Sequence, residues 1–375
     1  MTATIPLAIA HDYVTQRGGA EKVVLALHRA FPDAPLYTTL YEQSSSYPEF
    51  SDVDIRASWL NRLGIFRRNH RLALPFLPLA AQSVTIPAQC TIASSSGWAH
   101  GFATGGAKIV YCYSPARWLY QTDTYLGTDR GLRRVMLLAL RPWMKRWDRR
   151  KARTATTYFA ISTVVQERIR DTYGIESEVL PAPHSVDADA PQEPVLFDDF
   201  PDEGFYLCIS RLLPYKNVDK VVDAFRELDK PLVVVGSGPE ERRLAEMAPP
   251  NVRMAKGLTD AQIRWLYARS AAVVSASYED FGLTPIEAAT FGKSSIVLRW
   301  GGFLDTIVEG ETGVYFDVPE ASAIARAVRK HAETAWDSAR LIEHAKTFSE
   351  ENFARRLRQE IERVSPSSLQ PGAAR

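Results

Sequence analysis

Two carboxylates and two cations stand where they could serve an activated phosphate ester. Glu279 and Glu287 enclose the seven residues Asp280-Phe281-Gly282-Leu283-Thr284-Pro285-Ile286, and Arg211 and Lys216 lie five positions apart in Ser210-Arg211-Leu212-Leu213-Pro214-Tyr215-Lys216-Asn217. One cation just past a strand and another just before a helix converge on one place, a pairing suited to a diphosphate. The run from Val273 through Glu287 reads as a buried strand, a polar turn and a helix start. Thr284 is expected as N-cap, Pro285 as first helical residue and Glu287 as capping-box partner. The first turn of such a helix offers unpaired N–H groups and the positive end of the dipole to an anion. Gly282 permits close backbone approach, and Glu279 falls at the carboxyl end of the strand, where open α/β sheets bind ligands. For Glu287, a plain cap and a ligand contact both fit.

These residues need strands to position them, and the second half of the chain supplies a regular series. Phe205–Ile209, Leu232–Val235, Val252–Ala255, Ala272–Ser275 and Ser295–Leu298 read as strands with helical patterns between, for example the stripe Val218, Val221, Val222, Phe225 and Leu228. Such alternation requires a parallel sheet with right-handed crossovers. Gly236-Ser237-Gly238-Pro239 follows the second strand without the third glycine of a dinucleotide fingerprint, and Lys256-Gly257-Leu258 precedes a capping box from Thr259 to Gln262. The first half opens similarly, with a strand over Ile5–Ala10, the loop from His11 and Asp12 to Gly18-Gly19, and a helix from about Ala20 whose Val23, Val24, Leu27 and Phe31 share a face. The glycine pair reads equally as a flexible turn, and His11 as a satisfied structural histidine. Further strands fall at Thr91–Ser96 and Lys108–Cys112, separated by a short helical piece carrying His100 and followed by the loop Tyr113-Ser114-Pro115-Ala116-Arg117-Trp118.

Taken together, these strings resemble the retaining glycosyltransferases of the GT-B fold, family 4 type, and most of all the mannosyltransferases among them. The resemblance covers nearly the whole chain and is strongest over 204–318 and the first thirty residues. It implies an α/β fold of two Rossmann-like, doubly wound domains facing a deep interdomain cleft. The expected division is 1–181 as acceptor domain, 182–203 as a proline-rich linker, 204–346 as donor domain and 347–375 as a helix returning to the first domain, then a tail. It implies Glu279 beside the donor sugar and Glu287 on the ribose hydroxyls. Arg211 and Lys216 would hold the departing diphosphate, and the amides of Phe281, Gly282 and Leu283 would meet sugar and phosphate. Gly18, Gly19, Gly236, Lys256 and Gly257 would border the donor. His11, Asp12, His100, Tyr113 and Arg117 are the acceptor-side candidates. Tyr113 stands where mannosyltransferase relatives carry histidine, so that histidine's role does not transfer. Asp305 likewise replaces a frequent glutamate.

The implied reaction moves a hexose, with GDP-mannose the leading donor, to a hydroxyl of a glycan or lipid-linked acceptor with retained configuration, as in polysaccharide biosynthesis. Two cations serving the diphosphate make a catalytic metal unnecessary, and no cofactor is expected. Asp52-x-Asp54 and Asp187-x-Asp189 read as surface acids. Two other classes stay open: a nicotinamide-dependent oxidoreductase, and a non-catalytic scaffold on a membrane surface.

Composition bounds the rest. At 375 residues the chain is long enough for two α/β cores, and its net charge of +1 excludes a globally basic nucleic-acid binder. Cys90, Cys112 and Cys208 sit in apolar runs without metal-ligand spacing, which suggests reduced core thiols of a cytoplasmic protein. Neither a signal peptide nor a spanning helix is expected. Local charge is uneven: ten Lys and Arg face one acid, Asp148, between Arg130 and Arg153, interleaved with Leu, Met and Trp, and 56–71 is similarly basic and apolar. These segments suit either a solvated helix face or an anionic bilayer, placing the protein on the inner face of the plasma membrane. Arginines mixed with aromatics also suit single-stranded nucleic acid, but no accompanying pattern supports such a partner.

Overall fold

The computed structural model describes residues 5–121 and 132–365, and the chain divides into two compact units, Met1–Pro183 with Glu350–Arg375, and His184–Ser349. Arg130 and the side chains of Arg71, Arg133 and Arg134 lie outside the described residues.

In the first unit the strands are β1 (Ile5–His11), β2 (Leu36–Thr38), β3 (Ile55–Ala57), β4 (Thr85–Ile86), β5 (Ala88–Ser95), β6 (Ala103–Thr104), β7 (Ala107–Cys112), β8 (Thr157–Ala160) and β9 (Glu178–Val179). Seven of them form one parallel sheet in the order β3-β2-β1-β5-β7-β8-β9, while β4 and β6 pair separately. The strand order reverses direction between β1 and β5, so their carboxyl ends open a crevice at that edge. The helix Gly19–Ala30 starts directly at the glycine pair and buries Val23, Val24 and Leu27, as the apolar spacing requires. The helix Glu350–Val364 completes this unit. It buries Phe353, Leu357 and Ile361, sets Phe353 edge-on to Tyr111 at 5.2 Å and pairs Glu350 with Arg29.

Six strands build the second unit: β10 (Tyr206–Ile209), β11 (Leu232–Val235), β12 (Val252–Ala255), β13 (Ala272–Ser275), β14 (Ser294–Leu298) and β15 (Gly313–Phe316). All run parallel in the order β12-β11-β10-β13-β14-β15, the doubly wound arrangement with its switch point between β10 and β13. Leu232-Val233-Val234-Val235 is buried at every position because helices cover both faces. Each such side chain contributes on the order of 1.5–3 kcal/mol through burial. β15 is a sixth strand beyond the five expected from the sequence. Its first residue, Gly313, is also the last of the turn Glu311-Thr312-Gly313, whose composition hides the strand's start. Residues 184–203 hold Val195, Phe197 and Phe200, which pack against the second unit's core around Phe205 and Trp265.

Candidate active site

In the second unit the loops after β10 and β13, neighbours at the switch point, are stitched together before any charge is considered. Asn217, in the left-handed conformation at φ 52°, donates its side-chain amide to the Ala276 carbonyl at 2.9 Å, and Ser277 donates to the Lys216 carbonyl at 3.4 Å. Lys216 is thereby drawn inward, 6% exposed, and its ammonium pairs with the Glu279 carboxylate. Tyr215 connects the two cations. The Arg211 guanidinium donates to its hydroxyl at 3.3 Å, and Lys216 Nζ lies over its ring, 5.2 Å from the centroid. Tyr215 was legible only as the residue between the basic pair; its bridging role needed the fold.

The turn carrying Glu279 is held from the loop that follows β14. Gly302 donates its N–H to the Glu279 carbonyl at 3.0 Å, and a Cβ on Gly302 would stand 2.1 Å from the Phe281 Cα, so only glycine admits this contact. Gly282 adopts φ 85° and faces the Phe303 ring, where a Cβ would come within 2.4 Å. This conformation starts the helix Leu283–Thr290 two residues earlier than expected and makes Gly282, not Thr284, the N-cap, with no side-chain cap bond. The expected capping box is therefore absent here, whereas that from Thr259 to Gln262 forms. Freed from capping, Glu287 accepts a hydrogen bond of 2.7 Å from the Tyr267 hydroxyl.

The remaining donor-side candidates have clear local partners. Gly236 packs so tightly on the loop bearing Arg211 that a Cβ would meet the Ser210 carbonyl at 1.9 Å, and Ser237 accepts from the Leu212 N–H. Lys256 pairs with Glu241 at the surface, and Gly257 follows β12 with φ 66°. An aromatic pair that the sequence reading missed, Tyr278 and Trp300, meets edge-on at 5.2 Å beside the same turn.

The first unit carries its own polar cluster at the β1/β5 switch point. His11 donates through Nδ1 to the Ser94 carbonyl at 3.1 Å, and Ser94 Oγ lies 2.8 Å from the Tyr113 hydroxyl, which donates to the Ala20 carbonyl at 3.2 Å. Asp12 is committed internally: it accepts from the N–H groups of Ser96 at 2.6 Å and of Trp98 and Ala99 at 2.7 Å each, and from the Ser95 and Ser96 hydroxyls. His100 sits 3.2 Å from Ser95 Oγ and 3.0 Å from Asp148, whose other oxygen accepts from Tyr120 at 2.7 Å. Ser95, His100 and Asp148 are all buried, and this Ser-His-Asp string ties the loop after β5 to the helix Leu132–Ala152. Arg117 opens the short helix Arg117–Tyr120. Gly18 and Gly19 flank the helix start over Glu21, whose Oε2 has no hydrogen-bond partner among the described residues. Burial raises the Glu21 carboxyl above its usual range, opposed by the charge of His11 and a Gln16 hydrogen bond.

Residues 197–348, nearly all of the second unit, match the family described as Glycosyl transferases group 1. The match is confined to the second unit. The four charged residues around the β10/β13 switch point all lie inside the matched residues. The chain is 29% identical over 229 residues, 56% of its length, to the D-rhamnosyltransferase WbpZ of Pseudomonas aeruginosa, and spans 58% of that protein. With the GDP-mannose-dependent alpha-(1-6)-phosphatidylinositol monomannoside mannosyltransferase of Mycolicibacterium smegmatis it shares 28% identity over 145 residues, 34% of this chain and 38% of the relative. It therefore spans less than two thirds of these curated relatives. Anabaena Alr3699/HepE, solved in complex with UDP-glucose, superposes with TM-score 0.69 at 15% identity over 96% of this chain and all of that one. The chain thus has the GT-B fold, with two Rossmann-like units. Among the described residues no helix is long and apolar enough to cross a membrane.

Proposed function

We propose that this protein transfers a hexose, with GDP-mannose the leading donor, from a nucleotide diphosphate to a hydroxyl of a glycan or lipid-linked acceptor with retention and without a catalytic metal. The observation that carries the reading is the Lys216–Glu279 pair, with Arg211 beside it and the amides at 281–283 on the next turn, all at the β10/β13 switch point. As the glycosidic bond breaks, the ring gains positive charge and the diphosphate negative charge. Lys216 has three N–H donors, so it can keep Glu279 while giving another to a phosphate oxygen. Arg211 adds a second cation, and the first turn of the helix Leu283–Thr290 adds oriented N–H groups. Glu279 then orients the sugar hydroxyls, Glu287 takes the ribose, and the leaving phosphate accepts the acceptor proton on the same face.

Mannose is favoured by the GDP-mannose dependence of the mycobacterial relative together with the resemblance of the first half. The acceptor side rests on His11, Tyr113 and Arg117. A lipid-linked acceptor is supported by the surface of the first unit, where Trp59, Leu63, Ile65, Phe76, Leu79 and Trp143 are exposed among Arg62, Arg68, Arg146, Arg149 and Arg150. Apolar side chains with arginines suit an anionic bilayer on the cytoplasmic face.

The test is turnover of GDP-mannose and competing nucleotide hexoses by wild type, Glu279→Ala and Lys216→Ala, in excess EDTA, with the product anomer read by NMR. Each variant is expected to lose about 100-fold or more in kcat, since one well-placed polar group, a donor at Lys216 or an acceptor at Glu279, is worth about 3 kcal/mol to such a transition state. Unchanged variant rates would overturn the site, loss of wild-type activity in EDTA the metal independence, and an inverted product the stereochemistry. Co-sedimentation with phosphatidylglycerol vesicles tests the surface: binding should fall in Trp143→Ser with Arg146→Ser, and equal binding to neutral vesicles would dismiss it.

A further inference from the structure

Glu287 stands one turn into its helix, half-buried, and one of its oxygens is already fixed. Tyr267, on the helix Asp260–Arg269, is fully buried, and its hydroxyl donates to Glu287 Oε2 at 2.7 Å. The ring has one place to be: it is stacked on Phe291 with centroids 5.6 Å apart and planes 14° from parallel. Burial, and then the adjacent Glu287 charge, hold the phenol proton far above its ordinary titration, while the Thr284 hydroxyl bonds to the same group. The phenol is therefore a permanent donor on a rigid mount, aimed at a flexible carboxylate.

We infer that Tyr267 is a positioning residue that locks Glu287 for recognition of a ribose, so that the Tyr267–Glu287 pair makes the domain select ribonucleotides over 2′-deoxyribonucleotides. The inference rests on the reading of Glu287 as the ribose ligand and adds the device that orients it. A carboxylate with one oxygen held by a buried phenol presents the other in a single direction, and a vicinal diol is matched by a fixed acceptor better than by a rotating one. Removing a hydroxyl from the ligand leaves that acceptor unpaired, which is how a hydrogen-bonding site rejects a deoxy analogue.

Calorimetric titration of the full chain with GDP and 2′-deoxy-GDP, and with UDP and 2′-deoxy-UDP, reads the preference directly from whichever pair binds. Wild type is expected to favour the ribonucleotide by about tenfold or more. Tyr267→Phe, which keeps the ring stack, should weaken the ribonucleotide several-fold, change the deoxynucleotide by less than about twofold, and leave little preference. Donor KM should rise by a similar factor with kcat held. In the Glu287→Ala background, Tyr267→Phe should have no further effect on the ratio, a coupling that a merely structural role would not produce. If Glu287→Ala abolishes the preference while Tyr267→Phe keeps it, the positioning role is refuted and the ribose reading stands. If Glu287→Ala itself keeps the preference, or neither ribonucleotide binds wild type, the ribose reading fails and the inference with it.

Discussion

A single carboxyl shows how much a residue type can conceal. Glu21 sits in the first turn of a helix, where an acid would ordinarily be credited to the dipole, yet it is 1% exposed with one oxygen unpaired. Burial raises its carboxyl above the unfolded value, so the folded chain holds the proton to a higher pH than the unfolded one does. Stability is lost as pH rises from the unfolded value toward the raised one. Glu21→Gln should therefore raise the melting midpoint near pH 7.5 by roughly 2–4 °C, the response to about 1 kcal/mol in a domain of this size. At pH 4 the gain should shrink toward zero; a gain that is equal at both values would show that the buried charge is not the cause. Legibility at this scale divides by range. Arg211 with Lys216, and Glu279 with Glu287, were legible as pairs because the members of each lie close together between a strand and the first turn of the helix that follows. Asp12 with Ser96, or His100 with Asp148, involves partners about 84 and 48 positions apart, which no local pattern connects.

Among the elements, β14 and the helix Ala321–Ala332 are joined by a buried contact, Ser294 Oγ to His331 Nε2 at 2.6 Å, with Trp336 stacked on the imidazole. Burial pushes the His331 pKa down to about 4. A depressed histidine must charge on acidification, so stability present above the unfolded value of about 6.5 is lost as pH falls, approaching about 3 kcal/mol near pH 4. Urea midpoints should fall between pH 7 and 4.5, and His331→Gln should flatten that slope; an unchanged slope would assign acid sensitivity elsewhere. Gly302→Ala tests the clasp between the loop that follows β14 and the Glu279 turn. The Cβ meets backbone, which has nowhere to yield, so donor turnover should fall at least tenfold together with a lower melting midpoint. Retained activity would show that the turn tolerates displacement. The elements themselves were mostly readable, since long apolar runs and amphipathic stripes declare themselves. The start of the helix at Leu283 was not, because Thr284 and Glu287 imitate a capping box that a glycine at φ 85° displaces.

At the scale of the whole molecule, the second unit is one continuous stretch, His184–Ser349, while the first is assembled from Met1–Pro183 and Glu350–Arg375. If nucleotide binds only the second unit, a nucleoside diphosphate at 100 times its dissociation constant should stabilise that unit by about 2.7 kcal/mol and leave a first-unit transition unmoved. Hydrogen exchange read unit by unit checks this, and equal protection of both would contradict a donor site built from β10 and β13 alone. The two-unit rhythm was visible in the sequence as two series of strands and helices. Which unit owns the last helix was implied by likeness alone, because its apolar stripe of Phe353, Leu357 and Ile361 would suit either sheet.

That ownership bears on how a ribosome can deliver the protein. The helix Glu350–Val364 covers Tyr111 and engages Arg29 and Thr157, residues made hundreds of codons sooner. The first half must therefore wait, its seam uncovered, while the interior segment is synthesised and is free to mature ahead of it. A nascent chain stalled before codon 350 should bind chaperone through its earlier half, and release at full length should end that dependence.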